Sequence, residues 1–301
     1  MGNMQIDTAI QILTETGDYK LLKRLQLDLP TLIQTPPPLT TKTGICLDTE
    51  TTGLSSETCK IIELGMIAFE YDIQTCQVLR IIGRYNGFED PGEPLSQEVK
   101  DVTGITDEML VGQALDDEQV NNFLSSADII IAHNSGFDRP FMENRYPITI
   151  QKCWACSMSQ IDWKAEYISS KTLEYLLIKC GGWFIDAHRA LNDAEGLLGL
   201  LLENLPHSGR PILHALIEKA RQLETRIFAA GAPFDSKDKL KGRGYRWNDG
   251  EDGRPRSWWK DVANTVLEEE TIWLSEEVYY GGDAGSVVTM GITPYNRFSK
   301  R

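Results

Sequence analysis

Residues 47–54 read Leu47-Asp48-Thr49-Glu50-Thr51-Thr52-Gly53-Leu54, and Gly44-Ile45-Cys46 just before them continue the pattern of a buried strand. Side chains alternate along a strand, so Asp48 and Glu50 project from the same face near its end. Two carboxylates held side by side repel one another, and a bound cation offsets that repulsion. Hard oxygen ligands in this arrangement suit Mg²⁺ or Mn²⁺. A polar strand end facing water accounts for the same pair, so the reading rests on what else converges there.

Two further segments lead into helix starts. Ile131-Ala132-His133-Asn134-Ser135-Gly136-Phe137-Asp138 closes the Ile-rich run at 127–133, which predicts a strand buried on both faces. Asp138 is placed to join an acidic site or to cap the next helix. His188-Arg189-Ala190-Leu191-Asn192-Asp193 opens a helix striped by Leu191, Ala194, Leu198, Leu201 and Leu205. Asp193 falls off that stripe, so core packing does not require it. A histidine that titrates near neutrality, close to metal-held carboxylates, is a natural general base for activating water, and His188 fits that role. A surface histidine at a helix start is the alternative. His133 reads as packing or as support behind the site.

Around these segments, residues 61–71 and 76–86 predict two more strands joined by a hairpin at 72–75. Short helices are expected over 96–125, with Ser96 as a start and Gly104 as a stop. Further helices are expected at about 138–145, at 171–180 (closed by Gly181-Gly182), at 189–205 and at 211–223. This order predicts an α/β sheet with a mixed edge. The front segment, 4–28, predicts helix, with apolar stripes at Ile6, Ala9, Ile10, Ile12 and Leu13, then Leu21, Leu22 and Leu25; it is expected to pack on the main domain. Pro36-Pro37-Pro38 within 35–41 cannot continue a helix and reads as an extended spacer.

The chain has 301 residues, 41% hydrophobic and 25% charged, the composition of a folded globular protein. No apolar run reaches the ~18–20 residues of a membrane span, and the first ten residues lack the basic start and apolar core of a signal peptide. Net charge is −14, which excludes a general basic nucleic-acid coat. Residues 1–220 hold 17 Lys/Arg against 31 Asp/Glu, whereas 221–301 hold 13 of each. The acidity therefore sits in the first part, as solubilising charge or as carboxylates gathered for metal. Six cysteines without an export signal read as reduced cytosolic thiols, and Cys153-x-x-Cys156 lacks the second ligand pair of a zinc site.

Asp48, Glu50, Asp138 and Asp193 with His188 form a constellation. At these residues the sequence resembles the DEDD-type 3′→5′ exonucleases, in the branch whose fifth residue is histidine, the family of the proofreading epsilon subunit of DNA polymerase III. Asp48-x-Glu50-Thr51-Thr52-Gly53-Leu54 matches its first motif. His133-Asn134-x-x-Phe137-Asp138 matches the second, and His188-x-x-x-x-Asp193 the third. Gly104-Ile105-Thr106-Asp107-Glu108-Met109 resembles a stretch common there. The resemblance covers about residues 44–205, with no departure at the five key positions. It implies a ribonuclease-H-like fold: α/β, a mixed five-stranded sheet flanked by helices. It also implies two Mg²⁺ or Mn²⁺ ions held by the four acids. Asp48 would bridge both, Glu50 and Asp193 would hold the ion carrying the attacking water, Asp138 would support the other, and His188 would take the water's proton. Thr51, Thr52 and Gly53 would hold the terminal nucleotide, Leu54 would wedge against its base, and Asn134 and Phe137 would line the mouth; Phe137 reads equally as core. The implied reaction releases nucleoside 5′-monophosphates from 3′ ends.

Outside that block, residues 17–25 and 156–163 resemble features of a bacterial subgroup of these exonucleases. From 225 the pattern changes to short strands and Gly/Pro turns, with Trp247, Trp258, Trp259 and Trp273, and the boundary is placed near 222. The expected organisation is a helical extension and Pro-rich spacer at 1–43, an exonuclease domain at 44–222 and a small α+β module at 223–301. In that module Lys237, Lys239, Lys241, Arg243 and Arg246, followed by Trp247, are candidates for gripping phosphates and stacking bases. A small Trp core with a solvated lysine face is the alternative. Residues 291–301, ending in Arg297, Lys300 and Arg301, are expected to fray. The leading reading is a cytoplasmic, metal-dependent 3′→5′ exonuclease on DNA, preferably single-stranded, with a polymerase or repair complex as a partner and no membrane association. Its rivals are an exoribonuclease or oligonucleotide trimmer, and a non-catalytic adaptor.

Overall fold

A computed structural model describes residues 2–27, 40–250, 253–281 and 287–300. The core of the fold is a five-stranded sheet. Strands β2 (Thr41–Thr51), β3 (Ile61–Asp72) and β4 (Val78–Phe88) form an antiparallel meander, and β5 (Ile129–Ala132) and β6 (Cys153–Cys156) add parallel to β2, giving the order β4-β3-β2-β5-β6. The hairpin between β3 and β4 is set by Asp72, whose carboxylate accepts from the backbone of Gln74 and Thr75. Such an Asx-type turn is what the Asp-Ile-Gln-Thr sequence supplies.

Helices α2 (Gln97–Thr103), α3 (Asp107–Leu110) and α4 (Asp117–Ser126) lead to β5; α5 (Ser135–Arg145) leads to β6. The Ser96 hydroxyl caps α2 by accepting from Val99 N–H, and Gly104 ends it at φ 67°. Two cores lie on the two faces of the sheet. One gathers Cys46, Ile67, Phe69 and Ile131 with α6 (Leu173–Cys180), α7 (Ala190–Leu201) and α8 (Ile212–Arg221); the other gathers Ile45, Leu47, Met66 and Ile130 with α4 and α5. Neighbouring residues of β2 thus alternate between the two cores, and the β2 residues beyond them, Asp48 and Glu50, emerge only half-buried.

A second, four-stranded sheet is drawn from later residues. It has the order β11-β8-β10-β9, with β8 (Glu224–Ala229), β9 (Arg246–Asn248), β10 (Ser257–Ala263) and β11 (Val287–Ile292). Its own core is Ile227, Leu240, Tyr245, Val262, Leu274 and Val278, with Trp258 and Trp273 packed against it. Helices α9 (Lys237–Gly242) and α10 (Leu267–Trp273) complete it.

The structure corrects three expectations. Helix α1 (Gly2–Glu15) stops near Gly17, and Leu21, Leu22 and Leu25 are not on a continuing helix. Instead β1 (Lys23–Arg24) runs parallel to β7 (Trp183–Phe184), and Leu25 lies against Gly199 of α7, where a methyl group would come within 2.7 Å of it. Glycine at φ 72° breaks the helix, and pairing with β7 then favours extended backbone. Residues 291–300 do not fray: Arg297 is 3% exposed, and its guanidinium donates to Ala220 O, Gln222 O and Glu224. Buried Arg139 in turn donates to the carbonyls of Tyr295 and Arg297, and Trp154 N–H of β6 to Pro294 O. An arginine that converts three acceptors outweighs the usual loosening of a chain end. Asp138 does not cap α5; Asn134 holds that position. The Pro-rich spacer lies outside the described residues apart from Thr40 and Thr41, the latter already in β2.

Candidate active site

Strand register sets the floor of the site. Asp48 pairs with Gly65 and Glu50 with Glu63 across the β2–β3 ladder, and the register shifts between Glu50 and Thr51. Gly65 is where α7 meets the sheet: a Cβ there would sit 2.1 Å from the Ala190 carbonyl carbon and 2.2 Å from Leu191 N. Only a residue without a side chain lets the first turn of α7 lie this close, and that turn carries Asp193.

Glu63 locks the approach. Its carboxylate, fully buried, accepts from Arg189 Nε at 3.2 Å and Nη2 at 3.1 Å, from Ala190 N–H at 3.2 Å and from Asn86 Nδ2 at 3.2 Å. A buried carboxylate is tolerated because it is satisfied on both oxygens. It also sits at the N-terminus of α7, where negative charge is favoured.

The result is a cluster in which carboxylate oxygens of Asp48, Glu50 and Asp193 lie within 4.8 Å of one another. Asp138 is not in that group. Its carboxylate is turned to β2, accepting from Thr49 N–H at 3.2 Å and Thr49 Oγ1 at 2.9 Å, yet it is near enough to act electrostatically on Asp48. His188 stands exposed just before α7, at φ 62°. The left-handed conformation is unusual for histidine and reverses the chain immediately before the helix. The backbone N–H groups of His188 and Arg189 both point at Asp193.

Burial raises every carboxyl of the set, and repulsion from neighbouring acids adds to it at Asp48 and Glu50. Asp48 is held well above the ordinary range, first by burial, then by the charges of Asp138, Asp193, Glu50 and Glu63. Glu50 is pushed up to about 8 by burial, Asp193 and Glu63, with Arg189 opposing. Asp138 rises to about 7 through burial, against its bonds from Thr49. Asp193 rises to about 6 through burial, against the N–H groups of Arg189 and His188. A converging set of oxygen donors that hold protons for want of positive charge fits one or more hard divalent cations.

The loop after β2 is pinned: Thr51 Oγ1 donates to Gly53 O at 2.7 Å, Thr52 N–H to Lys60 O, and Lys60 N–H to Thr52 Oγ1. It presents Leu54, 87% exposed. Asn134 is exposed, whereas Phe137 packs against Phe141, ring centroids 5.1 Å apart, and against the core. His133 is held by Ser157 Oγ at 2.8 Å and Lys171 O at 2.7 Å, a packing position. The basic candidates differ in their partners. Lys239 pairs with Glu277 and Arg243 with Glu270; Lys237 lies over Phe234; Lys241 is exposed. Arg246 lies over Trp259, and Trp247 is half exposed, edge-on to Trp258. Sequence reasoning missed Glu63 as a site-building residue. A lone carboxylate inside Ile61-Ile62-Glu63-Leu64 was a readable signal, since charge within an apolar strand demands a partner.

Residues 45–201 match the family model RNase T, described as exonuclease. Over 206 residues the chain is 27% identical to a PolC-type DNA polymerase III of Thermotoga maritima, covering 64% of this chain and 14% of that protein. It is also 27% identical over 195 residues to a DNA polymerase III epsilon subunit of Treponema pallidum, covering 61% of this chain and 87% of that one. The chain thus spans about one seventh of the polymerase's length. Among solved structures, the zinc-bound form of the E. coli ExoI–ssDNA complex superposes with a TM-score of 0.51 at 15% identity, covering 78% of this chain and 67% of that chain, which shows the fold. The chain belongs to the RNase T exonuclease family, with the ribonuclease-H-like fold and DEDDh-type motifs of that superfamily.

Proposed function

We propose that the chain is a divalent-metal-dependent 3′→5′ exonuclease that removes nucleoside 5′-monophosphates from single-stranded DNA. The observation that carries this is the crowding of Asp48, Glu50 and Asp193 oxygens within 4.8 Å, while nearby Arg189 is engaged by Glu63. Asp48, Glu50 and Asp193, with Asp138 behind them, would hold two Mg²⁺ or Mn²⁺ ions. When bound, such ions supply a water nucleophile at neutral pH and stabilise charge on the reacting phosphate.

The chain's own residues do the remainder. Glu63 and Gly65 fix α7 so that Asp193 faces Asp48. His188, exposed at the lip, accepts the proton of the attacking water. The pinned loop of Thr51, Thr52 and Gly53 holds the terminal nucleotide, Leu54 presents an apolar edge to its base, and Asn134 and Phe137 border the opening. Residues 1–43 and 223–301 flank this unit as an extension and a second module.

The test is a 5′-labelled single strand with Mn²⁺ at pH 8. A ladder of progressively shortened labelled strands is expected, together with nucleoside 5′-monophosphates. Immediate release of a labelled mononucleotide would reverse the polarity, and an intact strand would refute the enzyme. A matched RNA strand cut faster than the DNA would reassign the substrate to RNA, through acceptance of the 2′-hydroxyl.

A further inference from the structure

His188 is exposed, and its imidazole has no hydrogen-bond partner among the described residues. The place of the ring is therefore decided by the backbone that carries it. That backbone sits in the left-handed region, at φ 62°, which a residue with a side chain keeps only where its surroundings over-determine it. On the C-terminal side the anchors are the Arg189–Glu63 pair and Asp193, which takes the N–H groups of His188 and Arg189. On the N-terminal side only Ile185, Asp186 and Ala187 separate His188 from β7, and among the described residues β7 pairs with no strand but β1.

The hold of β1 is specific. Lys23 N–H donates to Gly182 O at 3.0 Å and Leu25 N–H to Phe184 O at 2.9 Å. Arg24 Nη1 reaches the Asp186 carboxylate at 2.6 Å, and Asn192 Nδ2 of α7 donates to the Asp186 carbonyl at 2.8 Å. Asp186 is thus tied from both sides, two residues before His188. The Arg24–Asp186 pair is exposed and adds little by itself. Apolar contacts add more: Leu25 lies on Gly199 of α7, and Leu27 and Ile185 pack against the core that α7 helps to form.

We propose that β1 is a positioning element for catalysis: residues 23–25 clamp β7 and thereby hold the 185–187 segment, and the His188 ring, at the lip of the carboxylate cluster. This rests on the nuclease reading, in which His188 takes the proton of the attacking water. Leu25 is then a positioning residue, since it touches no reacting atom. A group misplaced by about 1 Å can slow a reaction by about a hundredfold. The metal-binding acids are mounted separately, Asp48 and Glu50 on β2 and Asp193 on the turn of α7 that Glu63 and Gly65 fix. Loosening β1 should therefore reach the base and spare the ions.

Leu25→Pro in the full chain removes the N–H that Phe184 O accepts. With Mn²⁺ and single-stranded DNA, kcat is expected to fall about tenfold. The Mn²⁺ concentration at half-maximal activity should stay within about twofold, and amide exchange over 181–189 should quicken. Gly199→Val tests the same clamp from the other side, because its side chain would displace Leu25; the same pattern is expected. Leu25→Met, which restores the N–H and an apolar side chain, should restore kcat. The deciding measurement is a double-mutant cycle: placed on His188→Ala, Leu25→Pro should lower kcat by less than about twofold further. Equal losses in the two backgrounds would mean that β1 acts on something other than His188 and would overturn the proposal. So would an unchanged kcat in Leu25→Pro, or a Mn²⁺ requirement that rises in step with the loss. A wild-type chain that leaves DNA intact sinks the nuclease reading itself, whereas an active wild type matched by Leu25→Pro sinks the clamp alone.

Discussion

The two sheets handle charge in opposite ways. In the second, acids are matched to bases: Arg226 makes two bonds to Asp261, Glu270 takes Arg243 and Lys260, and Glu277 takes Lys239. In the first, three carboxylates crowd together at the end of β2 and the start of α7, and none of them appears in an ion pair among the described residues. Pairing is what a fold does with charge when only the fold is at stake. Crowding works against folding, because each added like charge raises the others' proton affinity. A cluster of this kind, assembled by a glycine and a buried glutamate, is compatible with a divalent cation that would offset its repulsion.

Removing one member of each set breaks the comparison most sharply. Asp48→Ala takes away the acid surrounded by the other three, and turnover with Mn²⁺ is expected to fall on the order of a thousandfold or more. The metal-free variant should melt no lower than wild type, because a repulsive charge has gone. Asp261→Ala leaves Arg226, 8% exposed, without its partner, and should destabilise by about 3 kcal/mol in urea unfolding. If Asp48→Ala destabilises as much as Asp261→Ala, the carboxylate cluster is a structural network and the contrast fails.

His188→Ala is the next largest effect. Loss of a positioned general base is expected to lower kcat about a hundredfold, with the Mn²⁺ concentration at half-maximal activity little changed. A parallel loss of metal affinity would place His188 among the ligands instead. Glu63→Gln comes third: it keeps the shape but gives up the charge that holds Arg189, and groups that orient metal ligands from behind typically matter ten- to a hundredfold. A rise in the Mn²⁺ requirement together with a lower kcat is expected, because Asp193 moves with the start of α7. A change in melting temperature alone, with kinetics intact, would leave Glu63 a purely structural residue.

How much of this was readable beforehand follows from which forces are local. The three motif segments lie at strand ends and helix starts, where alternation and periodicity fix direction, so Asp48, Glu50 and Asp193 were legible as a converging set. The Ile-rich strands and the Ser96 and Gly104 caps were legible for the same reason. Asp138 was expected to join the same set, but the turn of its carboxylate onto Thr49 depends on a contact across 89 positions. The β1–β7 pairing and the anchoring of Arg297 were not legible. Both are long-range, and Leu21-Leu22 and a basic C-terminal stretch look locally like helix and loose end. Along the basic run at 237–246, counting positive charges does not reveal which of them acids engage: Lys239 pairs with Glu277 and Arg243 with Glu270.

The smallest expected effect sharpens the contrast without any substitution. Mn²⁺ added to the EDTA-treated chain should raise the melting temperature by a few degrees, since a ligand that binds only the folded state stabilises it by mass action. The gain should grow with pH. Asp193 and Asp138 titrate at about 6 and 7, and Glu50 at about 8, so at pH 6 a cation must displace protons from most of the cluster, whereas at pH 8.5 these three are largely ionised and their repulsion is unrelieved. Protons and metal thus compete for one set of oxygens, and differential scanning fluorimetry at pH 6, 7 and 8.5 reads the competition directly. Asp48→Asn should flatten the series. The paired acids of the second module offer no such response: Glu270, held down by Arg243 and Lys260 against burial, and Glu277, held down by its hydrogen bond from Lys239, lie below the ordinary carboxylate range and stay ionised throughout. A metal-induced gain of equal size at all three pH values would show that the cation binds elsewhere than among the crowded carboxylates.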